Sequence, residues 1–171
     1  LVLFRYVPSP FDEGEFFSLW RTFSASHDPD KADLELRALQ LSHTRLEPGQ
    51  PLYVTLIWGG DFFAIPDLQR WVIQLTDVSQ EQVWASVEFR LRAGWPSALT
   101  RVGDDVLSHH ILPVPDPLPA GDYHLRLALY LENGEPVHIL ESSSVQRVPY
   151  LALASLYRPP DVSLSPPSPD E

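Results

Sequence analysis

The sequence contains no cysteine, no methionine and a single lysine, Lys31. Without cysteine neither a disulfide nor a thiolate-bound metal can form, and the chain gives no reading of redox compartment. Without methionine the initiator is missing, which reads as a processed product, a trimmed fragment or an excised domain. Long apolar runs are missing too. No stretch approaches the ~18 residues needed to span a bilayer, and no secretory leader is visible. Glycine is scarce at eight residues, whereas proline reaches eighteen. Proline is poorly tolerated inside helices and central strands, so the balance points to many short elements joined by stiff loops, an all-β architecture.

Positive charge is also in short supply. Twelve basic side chains stand against 23 acidic ones, a formal net charge of −11. Such a chain repels polyphosphate and anionic lipid, so nucleic acid is excluded as an expected partner. With 171 residues and 44% apolar content, one sizeable core and one domain with extensions at its ends are expected.

Three regions follow from the pattern: an aromatic-rich segment over 1–33, a β-sandwich domain over 34–157 and a Pro/Ser/acidic tail over 158–171. In the first, Asp12-Glu13-Gly14-Glu15 reads as a helix start, and Phe16, Leu19, Trp20 and Phe23 fall at helical spacing. The expectation is a short helix, its apolar stripe either docked on the domain's own sheet or offered to a partner.

In the second region, Leu34 to Leu41 reads as a strand, and Glu47-Pro48-Gly49-Gln50 as a type II turn with positive φ at the glycine. Leu52, Val54, Leu56 and Trp58 alternate with Tyr53, Thr55 and Ile57. Both faces carry bulk, as in a central strand. Further strands are expected over Trp71 to Leu75, Val83 to Leu91, Asp105 to Leu112 and Tyr123 to Leu131. Asn133-Gly134 signals a hairpin turn into Val137 to Leu140, and Val145 to Leu151 closes the set. About seven or eight strands of this spacing define a two-sheet antiparallel sandwich of immunoglobulin or fibronectin type. The tail has almost no apolar residues and is expected to be disordered or extended against a partner.

The residues carry no recognisable catalytic signature. There is no Gly-x-Ser-x-Gly elbow, no phosphate-cradling glycine loop and no His-Glu-x-x-His. His109 and His110 are adjacent, so on a regular strand they face opposite ways and cannot share one metal. The clusters Gly59-Gly60-Asp61 and Gly103-Asp104-Asp105 fit turns as well as calcium ligands and lack a full calcium-loop spacing. No catalytic, cofactor or metal residue is therefore assigned. Five tryptophans and eight phenylalanines exceed what a small core needs. Phe62, Phe63 and Trp95 sit in loop-like contexts, where they either stack on sugars, anchor a protein interface, or fold back over the sandwich end. With Trp84, Phe16 and Trp20 they make up the candidate ligand and partner contacts.

Residues 34–140 keep a recognisable order: the Pro48-Gly49 turn, the strand closing in Trp58, the strand Trp71 to Asp77, then Leu118-Pro119-Ala120-Gly121-Asp122-Tyr123 leading into a strand and a hairpin. This resembles the β-sandwich domain at the C-terminus of bacterial membrane glycosyltransferases of the protein-mannosyltransferase superfamily. The resemblance implies an extracytoplasmic position and a non-catalytic role beside a membrane portion that holds the chemistry. The expectation is an accessory or interaction module, partnered by a membrane protein or by protein subunits of a larger assembly. A carbohydrate-binding module using loop aromatics is the alternative.

Overall fold

The computed structural model describes residues 14–24, 34–60, 68–90, 99–102, 105–141, 144–146 and 150–161. Among these it is all β, with eleven strands: β1 Glu15–Ser24, β2 Leu34–Leu41, β3 Leu52–Gly60, β4 Leu68–Asp77, β5 Val83–Arg90, β6 Leu99–Val102, β7 Asp105–Leu112, β8 Gly121–Leu131, β9 His138–Glu141, β10 Ser144–Gln146 and β11 Leu151–Arg158. They form a seven-stranded sheet, ordered β10-β9-β1-β2-β3-β7-β6, packed on a four-stranded sheet, ordered β11-β8-β4-β5. Every strand pairing is antiparallel.

The core is built from alternate positions, as a pleated strand requires. Leu52, Val54, Leu56 and Trp58 of β3 face Trp71, Ile73 and Leu75 of β4 and Tyr123, Leu125, Leu127 and Leu129 of β8, all buried. In β2 the buried leucines fall at 34, 36, 39 and 41, so the period slips by one. A bulge between Leu36 and Ala38 absorbs the slip and keeps all four leucines on the inner face.

The expected helix after Asp12 is not there. Residues 15–24 form β1, which pairs with β2 on one side and β9 on the other. A register shift between Ser18 and Arg21, with Trp20 at φ 49°, breaks the two-residue period and leaves apolar residues at spacings of three and four that imitate a helical stripe. The β-favouring content of Phe16, Phe17, Trp20, Thr22 and Phe23, together with an open sheet edge at β2, decides the outcome. Phe23 is buried, and the described part of 1–33 is built into the larger sheet.

The strand count exceeds the expected seven or eight through β1, through the four-residue β6, and through the division of 145–151 between β10 and β11. Elements of three or four residues are too short to show a period. The two predicted turns form. Gln50 N–H donates to Glu47 O at 3.1 Å with Gly49 at φ 77°. At Asn133-Gly134, Gly134 N–H donates to Leu131 O and Leu131 N–H to Glu135 O, each at 2.9 Å. The hairpin stops there: after a single bridge between Tyr130 and Pro136 the chain crosses to the other sheet, where β9 lies beside β1.

Two closures seal the sandwich. At one side Thr44 to Leu46 latches onto β11, Tyr157 N–H donating to Thr44 O at 3.0 Å and Leu46 N–H to Tyr157 O at 2.7 Å. At the other, β5 of the small sheet approaches β7 of the large one. Tyr123, at the start of β8, donates its hydroxyl to Pro119 O four residues upstream at 2.5 Å, a tyrosine corner of the kind found in immunoglobulin-like sandwiches.

Candidate interaction surface

The outward faces of the two sheets differ in chemistry. On the four-stranded sheet, polar groups pair with one another. Arg70 bridges Glu88 at 2.9 Å, and Arg90 bonds the same carboxylate. Arg126 donates to Gln74 at 2.9 Å and lies over the Tyr150 ring at 4.4 Å, and Arg70 lies over Tyr130 at 4.9 Å. The carboxyl of Glu88 is held below the usual range, first by its hydrogen bond to Arg90. This is a solvated face.

The seven-stranded sheet presents aromatic and aliphatic groups instead. Its registers align them in cross-strand rows: Phe16, Gln40, Thr55 and His109 in one, Ser18, Ala38, Ile57 and Leu107 in the next, and Tyr53 beside Ile111. Four strands at ~4.8 Å spacing make the patch about 14 Å across. Phe16 is 63% exposed, Trp20 66% and Ile111 52%, while Tyr53, Ile57, Leu107 and His109 are half-buried. Six large apolar side chains among the described residues are exposed, and three of them share this face. The other three are dispersed: Val78 and Val83 flank the β4–β5 turn, and Tyr157 is on β11.

A polar brace crosses one end of the patch. Arg37 on β2 reaches Asp105 on β7 at 2.5 Å and Glu35 at 3.2 Å, and its guanidinium stands 5.8 Å from the Trp20 ring. The hydrogen bonds that Arg37 donates to Asp105, then to Glu35, raise its pKa further. Trp20 Nε1–H donates to Ser18 Oγ at 3.1 Å, leaving the ring otherwise in solvent. In the centre, Thr55 is buried and its hydroxyl lies 3.0 Å from His109 Nδ1.

Of the contacts expected from sequence, Phe16 and Trp20 therefore stand together on this face. Phe62, Phe63 and Trp95 lie outside the described residues. Trp84 stands apart: a register shift opposite Leu75 and Thr76 makes it the extra residue of β5, turning it toward Tyr123 with ring centroids 6.4 Å apart. It is half-buried against the core with Nε1 shielded and unbonded, beside a groove of about 640 Å³ lined by Pro117, Leu118, Pro119, Arg158 and Pro160. Sequence reasoning missed Arg37, Ile57, Leu107 and Ile111. The signal for part of this was the bulk on both faces of β3.

Of the two glycine-aspartate clusters, read as turns or calcium ligands, Gly59 and Gly60 are the last two residues of β3, Asp105 belongs to the ion pair with Arg37, and Asp61, Gly103 and Asp104 lie outside the described residues. His109 and His110 do face opposite ways, His109 outward and His110 into the core. Among the described residues no group of three or more His, Cys, Asp or Glu is placed to hold a metal ion. Ser155 and His124 are cross-strand neighbours, Oγ to Nδ1 3.4 Å, but no described carboxylate hydrogen-bonds His124 to complete a catalytic relay. Neither a protein-family model nor a curated protein matches the chain.

Proposed function

We propose that this β-sandwich is a non-catalytic accessory module of a membrane-associated, extracytoplasmic assembly, and that it docks a protein subunit through the outer face of its seven-stranded sheet. The observation that carries the reading is the contrast between the two faces. One carries mutually paired polar groups, whereas the other collects Phe16, Trp20 and Ile111 at more than half exposure on one face. Aromatic residues grouped with an arginine are the composition of an interface centre. Contiguous apolar surface of this kind is uncommon on a protein that works alone.

The resemblance over 34–140 supports the location and the absence of chemistry, since the family's transferase function lies in a separate membrane portion. The charge of −11 argues for a protein partner over an anionic surface. The test is capture of membrane subunits from the source with the native chain and with a Phe16→Ser/Trp20→Ser double variant. Loss of the same defined subunits with the variant supports the reading. A free monomer that binds a glycan array through Trp20 replaces it with the carbohydrate-binding reading.

A further inference from the structure

The seam between the sheets holds a polar group that the docking reading does not use. His110 points inward from β7 and is buried against Trp71 and Phe89 of the opposite sheet. Those two rings stack at 4.4 Å, and the imidazole meets each edge-on, at 6.0 and 5.5 Å. Trp71 Nε1 lies 3.2 Å from His110 Nε2, Ser108 Oγ lies 3.0 Å from the same nitrogen, and Trp58 Nε1 lies 2.9 Å from Ser108 Oγ.

The proton positions follow from donor chemistry. An indole N–H only donates, so Nε2 of His110 is an acceptor and the neutral ring carries its proton on Nδ1. Trp58 donates to Ser108 Oγ, which leaves the serine hydroxyl free to donate to the same Nε2. Two donors from two sheets thus converge on one lone pair. Protonating Nε2 removes that lone pair and sets an N–H against both donors.

Nothing described compensates the charge. On β3 its cross-strand partner is the buried Val54, and from β4 and β5 the ring is faced by Trp71 and Phe89. Arg70, Glu88 and Arg90 are on the outer side of the small sheet, bonded to one another. His109, the neighbouring titratable group, adds a like charge.

We infer that His110 is an acid-sensitive latch whose protonation uncouples the seven-stranded sheet from the four-stranded sheet at the β4–β7 seam. Burial, and secondarily His109, push its pKa down to about 3, against 6.5 for an ordinary histidine. The depressed value sets the sign. The latch is fully engaged above pH 6.5, and its contribution is lost progressively as pH falls from there toward 3. Through that window one extra proton bound by the unfolded chain raises the unfolding equilibrium constant about tenfold per pH unit.

The test compares the native chain with His110→Gln, which keeps an acceptor for Trp71 and cannot take up the proton, with His109→Gln as the control. Denaturant unfolding is followed by tryptophan emission between pH 7 and pH 5, above the main carboxylate range. The native chain should lose about one decade of stability more than His110→Gln between pH 6 and pH 5, and His109→Gln should keep that slope. Equal slopes in the native chain and His110→Gln overturn the inference. Should His110→Gln fail to fold, NMR titration of the native chain decides: a His110 signal still unshifted at pH 5 supports the latch, and a midpoint near 6.5 removes it.

Discussion

Arg37 and Asp105 meet across a strand that belongs to neither of them. Arg37 is on β2, Asp105 on β7, and β3 runs between, yet Nη1 and Oδ1 are 2.5 Å apart. The crossing is possible because β3 carries Gly59 at that point. A side chain there would run into the guanidinium of Arg37, so the missing Cβ is the slot through which the arginine passes. The brace ties three strands of the exposed face together and holds a cation beside Trp20.

Gly59→Ala is therefore expected to displace Arg37 while leaving the fold almost untouched, since the atoms in the way are the far end of a flexible, solvent-facing side chain. Thermal melting should shift by no more than a few degrees, with partner capture falling several-fold. A collapse of the melting temperature, or capture equal to that of the native chain, speaks against the role given to the brace.

Leu127, fully buried on β8 between β4 and β11, tests the core. Leu127→Ala should cost about 2–5 kcal/mol in denaturant unfolding. Ser86→Ala on the exposed side of β5 should stay within about 0.5 kcal/mol. Reversed values would mean that the assignment of inner and outer faces is wrong.

Gly49 tests the turn that sets up β3. Its φ of 77° lies in the left-handed region, and a Cβ there would find its nearest neighbour, Asp116 Cβ, at 3.7 Å. Space is not the obstacle, so Gly49→Val should be destabilised by backbone strain alone, roughly 1–2 kcal/mol. Gly49→Asn, better tolerated with positive φ, should recover most of that loss.

The tyrosine corner gives an alkaline counterpart to the histidine latch. Tyr123→Phe removes the hydroxyl bonded to Pro119 O and should cost about 1 kcal/mol at neutral pH. Burial raises the Tyr123 pKa above its ordinary 10.0, with Arg158 opposing. Because the folded value is the higher one, the contribution persists up to pH 10 and is lost above it. Spectrophotometric titration should show one of the six tyrosines ionising late in the native chain and absent from that late phase in Tyr123→Phe.

The sandwich was legible where alternation runs uninterrupted. Tyr123 to Leu131, Leu52 to Trp58 and Asp105 to Leu112 read as strands because each places one apolar set on one side, and turn chemistry alone located Gly49 and Gly134. Legibility failed where a bulge breaks the period. At Ser18 to Arg21 the disturbed spacing passed for a helix, and at Trp84 the extra residue turned a side chain expected to face outward toward the core.

The exposed apolar face was hidden for a different reason. A two-residue period separates the faces of a strand without saying which face is covered, and the row from Phe16 to His109 joins four strands whose neighbour order is not written locally. The slot at Gly59 is visible only once β2 and β7 are known to flank β3.

The most direct measurement of the central claim is native purification from source membranes with a photo-crosslinker at position 20, followed by mass spectrometry of the adduct. The expected result is a crosslink to a defined membrane-associated subunit, lost when Phe16 and Ile111 are both changed to serine. A chain that purifies as a free monomer, with no adduct at position 20, would contradict it.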